Sequence, residues 1–76
     1  MNLERNILDK LNLVHPRMLT ENVLLNDVRM DARDTSLTDL RQATEKLEIK
    51  GQVVRVTGED ATRIKITTDG KARLAE

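Results

Sequence analysis

The chain has 76 residues, which is room for one small domain and not for two. Aromatic residues are absent and 38% of the chain is hydrophobic, so a core must come from Leu, Ile, Val and Met; modules that stack bases on aromatic rings are disfavoured. Basic and acidic residues number 13 each, so any contact with nucleic acid must rest on a local patch rather than on net charge.

Without Cys, disulfides and thiolate metal sites are ruled out, and a single His leaves little for a transition metal. No stretch reaches the roughly 20 apolar residues of a membrane span. The opening MNLERNILDK mixes charge with apolar residues and lacks a signal peptide's apolar run, so a soluble cytoplasmic protein is expected. A core this small also favours self-association, with a homodimer as its simplest form.

Leu3, Ile7, Leu11 and Val14 recur at helical spacing, with Leu8 on the flank and Glu4, Asn6, Asp9 and Lys10 elsewhere. This pattern predicts an amphipathic first helix. His15-Pro16 ends it, because proline disfavours the helical conformation of the residue before it. Arg17, Met18 and Leu19 read as a short extended piece. Thr20 then supplies an N-cap for a second helix holding Val23, Leu24, Leu25 and Val28.

Residues 31–36, DARDTS, are polar and turn-like. Ser36 and Asp39 have the spacing of a capping box, and Leu37, Leu40, Ala43, Thr44 and Leu47 then share one face. A third helix over 36–50 is predicted, closed by Gly51 in the left-handed conformation. Two strands follow around the turn 57–62. The alternation is read with Val54, Val56, Ile64 and Ile66 facing inward and Arg55, Arg63 and Lys65 outward, with Gly58 free to take positive φ. The segment TTDGKARLAE predicts a short last helix anchored by Leu74.

This order resembles a winged helix-turn-helix domain: an α+β fold with a three-helix core, a two-stranded β-hairpin wing and a short C-terminal helix. LRQATEKLEIKGQVVRV is similar to the passage from recognition helix to wing in prokaryotic regulators. ITTDGKARL is similar to the I/L-T-x-x-G-x-x-x-L segment that follows the wing in MarR-type and PadR-type transcriptional regulators. The resemblance implies binding of double-stranded DNA in transcription or replication, without enzyme activity or cofactor. Such regulators often dimerise through additional helices, which are not in this sequence.

If the third helix enters a major groove, Thr38, Gln42 and Glu45 lie on its outer face, with Arg41, Asp39 and Lys46 at the edges. Arg41 can bond guanine in bidentate fashion and Gln42 can bond adenine. Thr35, Ser36 and Thr38 stand at the helix N-terminus, where phosphate is attracted. Arg55, Arg63 and Lys65 form the candidate backbone contacts of the wing. Against this, Glu59 and Asp60 place two acids at the wing tip, where regulators of this kind carry Arg or Lys. Either the strand sides meet DNA and the tip points away, or the domain meets a protein partner instead.

Two further features carry no chemistry. His15 has no Ser or Asp partner arranged around it and reads as a turn residue. Asp31 and Asp34 lack the ligand pattern of a calcium hand.

Overall fold

A computed structural model of the chain describes residues 2–75. Four helices and a three-stranded antiparallel sheet follow in the order α1 (Leu3–Val14), β1 (Leu19–Thr20), α2 (Glu21–Arg29), α3 (Leu37–Ile49), β2 (Val53–Thr57), β3 (Thr62–Ile66) and α4 (Thr68–Leu74). Each helix begins on a residue whose side-chain oxygen accepts backbone N–H groups of the first turn: Asn2, Thr20, Ser36 and Thr67. At Ser36 the box is reciprocal. Its hydroxyl accepts from Asp39 N at 3.0 Å, and Ser36 N donates to the Asp39 carboxylate at 3.2 Å.

One core joins all the layers. Ile7, Leu8 and Leu11 of α1, Leu24 and Val28 of α2, Leu40 and Leu47 of α3, and Ile64 and Ile66 of β3 are fully enclosed. Leu8, on the flank of the α1 stripe, is enclosed as fully as Ile7, and Asn6 is buried on the other flank. Val23, in contrast, projects to solvent, so α2 is apolar on one side only. The chain reverses after α3 through Gly51, whose φ of 75° is the left-handed conformation glycine adopts without penalty. Gly58 does not take positive φ. The hairpin turn closes instead through Gly58 N donating to Ala61 O at 3.0 Å.

Two features of the sheet correct the sequence reading. First, the hairpin is not two-stranded in isolation: Leu19 and Thr20 pair with Ile64 and Arg63, giving the strand order β1-β3-β2. Second, the facing of β2 is reversed. The register pairs Val53 with Ile66 and Arg55 with Ile64, and it pairs Val54 with Lys65 and Val56 with Arg63. Directly paired residues share a face. Val53, 2% exposed, therefore goes inward, whereas Val54 and Val56 are 43% and 51% exposed. The cause is turn length. An even number of residues between Thr57 and Thr62 matches odd positions of β2 to even positions of β3, so enclosing Ile64 and Ile66 carries Val53 and Arg55 to the inner face.

The last helix is locked to the start of the hairpin. Thr67 N donates to Gln52 O at 3.0 Å and the Thr67 hydroxyl donates to Gly51 O at 2.6 Å. The same hydroxyl accepts from Gly70 N at 3.1 Å. Gly70 is buried, and a Cβ there would overlap Gln52 O and lie 2.7 Å from Ile66 Cγ1. Leu74 packs against the core one turn further on. The spacing of Ile66, Thr67, Gly70 and Leu74 thus has a physical basis in core anchor, cap, close approach and second anchor.

Candidate nucleic-acid interface

Burying Leu40, Ala43, Thr44 and Leu47 leaves the opposite side of α3 to solvent. Thr38, Gln42 and Glu45 lie on that side as the periodicity predicts, joined by Ile49, which is 79% exposed. Ile49 is an addition that the polar reading of this face passed over. Its signal was present: it follows Thr38, Gln42 and Glu45 at intervals of three and four.

The candidate basic residues divide into tethered and untethered groups. Arg41 Nε donates to Glu21 Oε2 at 3.1 Å and its Nη2 to Oε1 at 3.3 Å, a bidentate pair with the first residue of α2. The guanidinium pKa is raised, first by this hydrogen bond and then by the charge of Glu21. Arg55, on the inner face, donates from Nη2 to Glu48 Oε1 at 2.9 Å, bridging β2 to α3. It does not share a face with Arg63 and Lys65, so the basic outer surface of the hairpin is smaller than the alternation predicts. Arg63 and Lys65 sit there instead with Val54 and Val56. Lys46, Arg63 and Lys65 form no ion pair among the described residues.

The helix N-terminus is also partly committed. Thr35 is 8% exposed, and its carbonyl accepts from Arg29 Nε at 2.7 Å, which holds the turn before α3 against the end of α2. Its side chain is therefore not presented to a ligand. The Ser36 hydroxyl is engaged in the capping box, and Thr38, the second residue of α3, is exposed.

A cleft of about 290 Å³ separates the hairpin tip from the helices. It is lined by Thr20, Glu21 and Asn22 at the start of α2, by Arg41, and by residues 58–62 of the turn. Glu59 and Asp60 thus border the same cleft as the Arg41–Glu21 pair. No protein-family model, curated protein or solved structure matches the chain. Among the described residues no group of His, Cys, Asp and Glu could hold a metal ion, and no helix is long and apolar enough to cross a membrane.

Proposed function

We propose that the chain is a winged helix-turn-helix protein that binds double-stranded DNA as a transcription or replication accessory factor. The observation that carries this reading is the exposed flank of α3, with Thr38 and Gln42 on it, Arg41 and Lys46 at its edges, and a β-hairpin alongside. The order α1-β1-α2-α3-β2-β3 and the strand order β1-β3-β2 support the same reading. In it, Gln42 and Arg41 address base edges, Thr38 addresses phosphate near the start of α3, and Arg63 and Lys65 follow the backbone. Arg41 reaches DNA only by leaving Glu21. That exchange lowers affinity, and it makes the contact conditional on a partner that replaces the carboxylate with phosphate or guanine.

Titration into mixed-sequence duplex at several salt concentrations tests this. With two to four phosphates neutralised, the log–log slope of affinity against salt is expected to be about −2 to −4. Arg63→Ala and Lys65→Ala should each reduce its magnitude by about one. A duplex that does not bind at low salt rejects the reading. The alternative is contact with a protein partner, favoured by Ile49 and by the acids Asp39, Glu45 and Glu48 around the same flank. Binding that is insensitive to salt would favour it.

A further inference from the structure

The outer face of the sheet carries side chains of two kinds. The register sets Val54 beside Lys65 and Val56 beside Arg63, and Thr20 of β1 pairs with Arg63. Directly paired residues share a face, so these side chains stand together on the side away from Ile64 and Ile66. Both valines are about half-exposed. Neither Arg63 nor Lys65 forms an ion pair among the described residues, whereas Arg55 on the inner face is held by Glu48 at 2.9 Å. None of the three strands contains an acidic residue. Glu59 and Asp60 lie in the turn beyond the strands and border the cleft with Arg41, so the outer face itself combines apolar surface with positive charge alone.

This mixture selects a partner by exclusion. A surface that is anionic throughout, such as a phosphate backbone, matches the cations and leaves the valines against charge. A surface that is apolar throughout covers the valines and buries two cations without counter-charge. Carboxylates and apolar side chains side by side meet both needs. We infer that the outer face of the sheet docks an amphipathic helix of a partner protein, with Asp or Glu at positions i and i+4 and apolar residues at i+3 and i+7. Its carboxylates pair with Lys65 and Arg63, and its apolar side chains cover Val54 and Val56.

The spacings agree. Residues two apart in a strand lie about 6.7 Å apart, and residues four apart in a helix advance about 6 Å, so acids at i and i+4 reach Lys65 and Arg63 together. Neighbouring strands lie about 4.8 Å apart, close to the roughly 5–6 Å between residues i and i+3 of a helix, which brings i+3 and i+7 over β2. All four positions fall within about 100° of one helix face. A helix laid along a sheet is also a common way of covering a half-apolar face. The inference stands apart from the DNA reading. The two share Arg63 and Lys65, so an acidic helix and a duplex compete for them.

The probe is an acetylated peptide of about sixteen residues built from the repeat Glu-Ala-Ala-Leu, long enough for an isolated helix. It is titrated into the isotope-labelled chain without DNA and followed by two-dimensional amide NMR. A dissociation constant of about 0.1 mM is expected for so small an interface, with the largest shifts at Val54, Val56, Arg63 and Lys65. Replacing Glu by Gln in the peptide, or Leu by Ala, should each weaken binding at least about fivefold. Val54→Thr with Val56→Thr, and separately Arg63→Gln with Lys65→Gln, should do the same from the protein side. Threonine keeps the β-branched shape that suits a strand, and far-ultraviolet circular dichroism checks that both variants fold. No binding up to about 1 mM, equal binding of the Gln peptide, folded valine variants that bind undiminished, or shifts centred on the α3 flank overturns the inference. So does a duplex that shifts Val54 and Val56 where the peptide does not, since the face then belongs to nucleic acid. A duplex that fails to bind rejects only the DNA reading, and the peptide titration is decided without it.

Discussion

Replacing Gly70 with Ala gives two opposite expectations, depending on whether helix propensity or close approach governs the site. Gly70 stands in the first turn of α4, where propensity alone favours alanine by up to about 1 kcal/mol. The added Cβ, however, would lie 2.7 Å from Ile66 Cγ1 and still closer to Gln52 O. Carbon atoms in contact normally sit about 3.5–4.0 Å apart, so α4 must retreat by roughly 1 Å. That retreat stretches the bond from Thr67 N to Gln52 O and the bond from the Thr67 hydroxyl to Gly51 O, now 3.0 and 2.6 Å. Overpacking costs about 1–3 kcal/mol and one lost hydrogen bond about 0.5–1.5. After subtracting the propensity gain, Gly70→Ala should destabilise the fold by about 1–3 kcal/mol. For a domain of this size that lowers Tm by about 4–24 °C. Thermal and urea unfolding followed by far-ultraviolet circular dichroism measures it, since the chain has no aromatic residue to report by fluorescence. A variant as stable as the parent, or more so, would refute the close approach of α4 to the hairpin.

Two other outcomes follow from the same geometry. Glu21→Gln removes the carboxylate that holds Arg41 and takes one negative charge from the cleft, so duplex affinity at about 0.1 M salt should rise several-fold; an unchanged or lower affinity in fluorescence-anisotropy titration would argue that Arg41 plays no part in binding DNA. Gly51→Ala forces a side chain into φ 75° and should cost about 1–2 kcal/mol in urea unfolding, with loss confined to stability and no effect on the salt slope of DNA binding.

What local chemistry decides was legible in the sequence. Ser36 and Thr20 cap helices because a hydroxyl reaches the N–H group three residues ahead. Gly51 ends α3 because left-handed φ suits glycine, and the α3 stripe from Leu40 to Leu47 follows from 3.6 residues per turn. The exposed flank of α3 was legible for the same reason, as the complement of that stripe. Tertiary structure decided what depends on partners distant along the chain. The run Val53-Val54-Arg55-Val56 is compatible with either facing, and the pairing with β3 sends Val53 and Arg55 inward. Arg41 meets Glu21 across two helices, and Thr35 is enclosed against Arg29. Gly70 is required by a carbonyl eighteen positions earlier, and β1 joins the sheet only because β3 lies beside it. Periodicity determines which side of an element is buried when its apolar stripe is unambiguous; where two assignments bury similar side chains, the register and the charges of neighbouring elements choose between them.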